Sequence, residues 1–249
     1  MSGHSKWSTI KHKKAALDAK RGKAFTRVIK ELTIAARIGG GDPAGNPRLR
    51  TAIVDAKAVN MPADNIKRAI QKGTGELPGV SYEEVFYEGY GPGGVAVLLE
   101  VLTDNKMRTT PEIRHLFTKH GGNLGEPNSV AWMFEKRGQF VIPTAQVSED
   151  RLMDVVLEAG GEDLSTAGDN FEVSTSPGVF PAVRDALEKA GVTPTEAALV
   201  MEPKTTVQLD GKKAQQCIKL LEVIEEHDDV QHVYANMEFD DADLEAAAS

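Results

Sequence analysis

Cations at helical spacing are the residues of this chain best placed to do chemistry. Lys23, Arg27, Lys30 and Arg37 follow one another at steps of four, three and seven residues, which puts them on one face of an α-helix. Lys13 and Lys20 extend that face at seven-residue spacing if the helix runs through Gly22. Lys6, Lys11, Lys14 and Arg21 add charge upstream, and Arg48 and Arg50 add it downstream. A row of cations laid on phosphates releases counterions, which gives binding that falls steeply with salt. Arginine adds a fork that holds a phosphate through two hydrogen bonds. Trp7 beside Lys6 either stacks on an unpaired base or packs on its own domain. The candidate nucleic-acid-binding set is therefore Lys6, Trp7, Lys11, Lys13, Lys14, Lys20, Arg21, Lys23, Arg27, Lys30, Arg37, Arg48 and Arg50.

Other constellations carry less. GYGPGG at 89–94 sits between two strand-like runs, whereas a phosphate-cradling loop opens a helix; it reads as a hairpin turn. KRGQFVI at 136–142 offers Phe140 alone where an RNA-recognition sheet uses two or three stacking aromatics. His115 and His120 are five residues apart, and His227 and His232 flank the acidic turn Asp228-Asp229-Val230, which is short of a ligand set for a metal. Cys217 lies in an apolar helical stripe followed by Glu222, Glu225 and Glu226, the reverse of the electropositive setting a thiolate nucleophile needs. No Ser/His/Asp set or paired-carboxylate spacing stands out. The expectation is a protein that is not an enzyme and needs no cofactor or metal. A ligand site in a cleft between α/β domains stays open as a third possibility.

The elements that must position these residues follow from periodicity. Phe25, Val28, Ile29, Leu32, Ala35, Ala36 and Ile38 repeat at three- and four-residue steps, predicting a helix from Lys23 that Gly39-Gly40-Gly41 ends. Asn46-Pro47 reads as the cap and first residue of a second helix to about Asn60. Pro62 opens a third helix, stopped by Gly73, before a linker over 73–81. Strand patterns follow over 84–90 and 95–102, then a helix from Thr109 or Thr110 to His120 and a strand over 130–135. A βαββαβ unit is expected from Gly138, with strands near 140–142, 163–167, 170–174 and 197–202. Its helices are expected from Ser148 to Leu157 and from Ser176-Pro177 to Gly191. A strand over 205–209, a helix capped by Asp210 and a strand over 230–239 resume the first unit.

The fold expected is α+β: a three-helix domain over 1–78, then two ferredoxin-like α/β domains, one inserted in the other. The outer one covers 79–137 plus 204–240 and the inserted one 138–203.

Charge divides along the same line. Over the whole 249 residues the net is -8, which taken alone argues against a polyanionic partner. Residues 1–72 hold 16 Lys and Arg against 5 Asp and Glu, a net of +11, and the remainder carries -19. A short charge run is ordinarily a solvated face. Here the excess spreads over three helices, Lys57, Lys67, Arg68 and Lys72 included, and its self-repulsion favours a polyanion that offsets it. The single cysteine excludes an intrachain disulfide and suits a reducing cytoplasm. The first residues lack the apolar run of a secretory signal, and no run is long enough to span a bilayer. The oligomeric state stays open, with a monomer as the default.

Several long segments carry a family resemblance. GHSKW at 3–7, KHKKAALDAKRGKAFTRVIKEL at 11–32, AARIGGGDPAGNPRLR at 35–50, YEGYGPGG at 87–94, RHLFTKHGGNLG at 114–125 and SVAWMFEKRG at 129–138 together resemble the YebC family. That family includes the mitochondrial translational activator of cytochrome oxidase subunit one. The resemblance implies a cytoplasmic bacterial protein of three domains, the first helical and two α/β. It implies nucleic-acid binding in one of two forms: DNA binding with control of transcription, or attachment to ribosomal RNA as a translation factor that assists synthesis of proline-rich stretches. By similarity, GHSKW and the lysines after it would lie near nucleic acid.

Overall fold

Helix α1 spans Ala19–Gly39, α2 Pro47–Ala58 and α3 Ala63–Thr74. These come from a computed structural model, which describes residues 19–209 and 211–238, with side-chain environments from Lys23 onward. Helix α1 already includes the turn before Lys23 and runs through Gly22. Its apolar stripe is the expected one: Leu32, Ala35 and Ala36 are buried, with Phe25, Val28 and Ile29 against them, in one core with Leu49, Ala52, Ala56, Met61, Ile66 and Ala69. Ile38, in the last turn, is exposed.

Asn46 caps α2 as its residue type predicts. Its side-chain oxygen accepts from the Leu49 N–H at 3.0 Å, while its amide donates to the carbonyls of Ala35 and Gly40, both at 2.8 Å. One side chain thus closes the C-terminus of α1 and the N-terminus of α2.

Gly73 does not stop α3. It lies inside the helix where α1 crosses, and a Cβ there would sit 2.3 Å from the Thr33 carbonyl oxygen. The stop is Gly75, which takes the left-handed conformation at φ 82°. Gly73 is a close-approach glycine, and a sequence pattern cannot separate that use from a helix end.

Strands β1 (Glu83–Tyr90) and β2 (Ala96–Thr103) form an antiparallel hairpin with Tyr87 opposite Leu99. Helix α4 (Lys106–Lys119) follows, capped by Asn105, which accepts from the Arg108 N–H. It therefore begins a turn before the Thr109 or Thr110 expected, and Pro111 lies inside it. β3 is only Asn123–Leu124 and pairs with the end of β1.

The strand expected over 130–135 does not exist as such. Ala131–Met133 is one 3-10 turn, and Phe134 opens β4 (Phe134–Pro143), which is in the second sheet. The alternation Val130, Trp132, Phe134 mimics a strand across that turn.

From β4 the order is as read: α5 (Glu149–Glu158), β5 (Asp163–Ala167), β6 (Asn170–Thr175), α6 (Phe180–Lys189) and β7 (Glu196–Pro203). The antiparallel sheet runs β5-β6-β4-β7, the ferredoxin-like arrangement. Its helices cover Phe140, Ile142, Phe171 and Val173, and Phe140 stacks on Phe180 at 4.6 Å.

Helix α7 (Gly211–Glu225) and β8 (Val230–Ala235) return to the first sheet. The expected capping residue Asp210 and the end of the 230–239 strand at Phe239 lie outside the described residues. β8 pairs with β2, giving the order β3-β1-β2-β8. Of the strand expected over 205–209, Val207–Gln208 is present; it pairs with Met237–Glu238 in a separate two-stranded sheet and does not enter this one. Helices α4 and α7 bury Ile113, Phe117, Cys217, Leu220, Leu221 and Ile224.

The architecture is thus a three-helix N-terminal part followed by two ferredoxin-like α/β domains, one inserted in the other. Contacts divide the described residues into two compact units, 132–207 with 236–238 and 19–131 with 208–235.

Candidate nucleic-acid interface

The face expected to stand open on α1 is turned onto the α/β part of the same unit. Lys30 is 6% exposed. Its ammonium donates to the Asp229 carboxylate at 2.6 Å, the Asp228 carbonyl at 3.0 Å and the Leu102 carbonyl at 3.3 Å, which engages all three of its protons. One and two turns earlier, Arg27 donates to the Glu225 carbonyl and Lys23 to the Glu226 carbonyl. These are the last carbonyls of α7, where a helix concentrates partial negative charge. Two turns later, Arg37 donates to the Ser81 hydroxyl and, at 2.8 Å, to the Tyr82 carbonyl.

The helical spacing of these cations is as expected, but their partner is the protein. Burial pulls the Arg27 guanidinium below its ordinary value, against the pull of Glu225 and Asp228.

Asp229 is the hub of this contact. Besides Lys30 it accepts from Arg108 and the Thr109 hydroxyl, each at 2.7 Å, and from Thr103 at 3.1 Å. Burial alone would raise its carboxyl. The bonds from Lys30, Thr109 and Arg108 outweigh it and hold the group well below the usual carboxylate range. His227 accepts the Asp229 N–H on Nδ1 at 3.1 Å and meets Glu112 through Nε2 at 3.0 Å. It is thereby fixed as a structural side chain.

Charge counting along the chain does not reveal this hub. The signal present in the sequence was the turn Asp228-Asp229 itself, just after the helix whose last carbonyls accept from Lys23 and Arg27.

Arg48 is also committed. It forks onto Glu31 at 2.6 and 3.0 Å and reaches Glu84 at 2.9 Å. The bond with Glu31 and then that with Glu84 raise its guanidinium, against the effect of burial. Arg50 is exposed and bonds the carbonyls of Pro43 and Ala44, with no carboxylate partner among the described residues. Lys57, Lys67, Arg68 and Lys72 are exposed. Lys6, Trp7, Lys11, Lys13 and Lys14 lie outside the described residues; Lys20 and Arg21 fall within the backbone of α1, and their side chains are not described.

Two further polar groups have structural uses. Glu88, 6% exposed, accepts the N–H groups of Asn128, Val130 and Ala131, each at 2.7 Å, and so orders the segment leading to β4. Burial pushes the Cys217 thiol up to about 12, far from a nucleophile's range. Among the described residues no group of three His, Cys, Asp or Glu side chains could hold a metal ion, and no helix is long and apolar enough to cross a membrane.

Comparison with known proteins follows the same division of the chain. Residues 5–76 match the family model of the TACO1/YebC protein N-terminal domain, and residues 82–237 match that of the TACO1/YebC second and third domain. A probable transcriptional regulatory protein of Koribacter versatilis is 59% identical over 248 residues, covering 100% of both chains. One from Acidobacterium capsulatum is 60% identical over 240 residues, covering 96% of this chain and 97% of that one. The crystal structure of a conserved hypothetical protein from Aquifex aeolicus superposes with a TM-score of 0.84 at 50% identity, covering 91% of this chain and 94% of that one.

Proposed function

The chain belongs to the TACO1/YebC family, and from that premise we propose that it is a non-enzymatic, nucleic-acid-binding regulator of gene expression. In this reading the basic N-terminal helical part meets the phosphate backbone. The observation that carries it is the charge division, +11 over residues 1–72 against -19 over the rest. Domains kept basic at the cost of self-repulsion are suited to polyanions. The relatives' names, probable transcriptional regulatory proteins, favour DNA and control of transcription as the form the activity takes in a bacterial cytoplasm.

A second reading, ribosomal RNA in place of DNA, draws on a different observation. The α1 face is bonded to its own protein, so α1 does not offer a free face of the kind that reads base edges from the major groove. Backbone contact without base readout suits a structured RNA as well as it suits DNA. Crosslinking in cells followed by sequencing of the bound nucleic acid tests both. Enrichment of promoter DNA supports transcription and enrichment of ribosomal RNA supports translation. Recovery no greater than from an uncrosslinked control overturns the nucleic-acid reading altogether.

A further inference from the structure

The cations of the helical part fall into two sets by what they touch. Lys23, Arg27, Lys30, Arg37 and Arg48 each bond a group beyond residue 80, outside the helical part. Lys57, Lys67, Arg68 and Lys72 are exposed, and no ion pair engages them among the described residues. Arg50 touches only neutral carbonyls.

The second set is confined to α2 and α3, each of which packs on α1. The short connection 59–62 sets the end of α2 beside the start of α3. Gly41, just past the end of α1, lies against Ile70 and Thr74 at the end of α3. On α2 the buried residues are Leu49, Ala52 and Ala56; Arg50, Val54 and Lys57, at steps of four and three, form a stripe along its exposed flank. On α3 the buried residues are Ile66 and Ala69, and Lys67, Arg68, Gln71 and Lys72 lie on the flank and back of that helix.

Resting on the reading given under Proposed function, we propose that this α2–α3 surface, and not the α1 face, is the phosphate-binding surface of the helical part, and that its partner is duplex nucleic acid. Two observations argue for a duplex. Phe25 is the one aromatic residue between 19 and 78, and it packs against the helical core. The described surface therefore lacks the stacking platform that single strands use. Arg50 and Lys57 stand about 10 Å apart along the helix axis at 1.5 Å per residue, on the scale of the ~12 Å major groove that separates phosphate rows in a B-form duplex. Val54 between them presents an apolar side chain towards sugars rather than a third charge.

The test uses the full chain and fluorescence anisotropy with a duplex RNA, a duplex DNA and a single strand of equal length, each titrated with salt. The perturbation is the quadruple variant Lys57→Gln, Lys67→Gln, Arg68→Gln, Lys72→Gln. Its control, Lys119→Gln, Lys136→Gln, Lys189→Gln, Lys212→Gln, removes the same charge from exposed positions outside the helical part.

If all four cations touch phosphate, the slope of log affinity against log salt shrinks by about 3.6 on a duplex, and affinity at 0.1 M salt falls on the order of a thousandfold. The control keeps the wild-type slope. The RNA and DNA arms say which duplex binds more tightly. A wild-type slope in the α2–α3 variant, with wild-type binding intact, overturns the surface and leaves the proposed function standing. Tighter binding of the single strand than of either duplex overturns the choice of partner. Absence of binding to all three by the wild-type chain overturns the proposed function itself. Unchanged melting temperature of both variants ties the losses to contact rather than to folding.

Discussion

Replacing Asp229 by Ala is the most direct way to test the fastening of the helical part to the α/β part. The substitution removes an acceptor whose side chain is 4% exposed and leaves the Lys30 ammonium, 8% exposed, with two carbonyl partners and no counter-charge. It also takes one acceptor from each of the Thr103 and Thr109 hydroxyls and from Arg108. Breaking one partner out of a buried pair typically costs about 3–5 kcal/mol, because the remaining charge stays desolvated. For a unit of this size that lowers the melting temperature by roughly 6–20 °C.

The pH dependence has a definite sign. Asp229 has its carboxyl depressed in the folded state, so its contribution is complete above the unfolded value of about 4 and is lost as pH falls towards the folded one. The difference between wild type and variant should therefore be full at pH 7 and narrow only below about pH 4. Urea denaturation across that range, followed by tryptophan fluorescence and circular dichroism, reads both quantities. A double-mutant cycle with Lys30→Met isolates the pair from Arg108. A loss below 1 kcal/mol at pH 7, or a cycle with no coupling, would refute a buried ion pair at this position.

Three other substitutions or probes follow from local geometry. Asn46→Ala removes the α2 cap and strips two carbonyls, Ala35 and Gly40, of their donor; a loss of about 2–3 kcal/mol in denaturant titration is expected. Gly73→Ala should destabilise by about 2 kcal/mol in the same assay even though alanine favours helix. The added methyl would meet the Thr33 carbonyl at 2.3 Å, and a stabilised variant would show that α1 and α3 do not cross there. Cys217, with its thiol pushed up to about 12, should resist an aromatic disulfide reagent at pH 8 in the folded chain and react fully in urea, as followed by absorbance.

Local rules were legible wherever one residue decides one junction. Asn46 followed by Pro47 names a cap and a first turn, and the structure has both. The inserted domain was legible because its strands, from Phe140-Val141-Ile142 to Ala197–Glu202, alternate cleanly and its helices end at glycines. The failures have a common physical origin, which is that a residue's partner can be far away in sequence. Gly73 reads as a stop until Thr33 is placed beside it. Val130, Trp132 and Phe134 alternate like a strand, yet the buried Glu88 carboxylate draws Val130 and Ala131 out of extended backbone into a turn. Lys23, Arg27, Lys30 and Arg37 read as an open face because their spacing says where they point and not what they meet. Asp229 is about 200 residues away from them.

The bonds that hold the α1 cations change what the charge of residues 1–72 implies for binding. Residues 1–72 contain 16 cations, and if each reached a phosphate the salt slope on a B-form duplex would approach about 14. Five of them, Lys23, Arg27, Lys30, Arg37 and Arg48, are held by groups of the α/β part. The remaining 11 set a ceiling of about 10. The acidic remainder therefore has a local use besides any long-range repulsion of nucleic acid: Asp229, Glu84 and the C-terminal carbonyls of α7 fix the helical part on the first α/β sheet and leave α2 and α3 outward. Anisotropy titrations of the full chain on duplex DNA between 0.05 and 0.3 M salt measure the slope directly. A value at or below about 10 agrees with α1 staying bonded in the complex. A value clearly above it means that nucleic acid has displaced Asp229 and the α7 carbonyls, and that the fastening opens on binding.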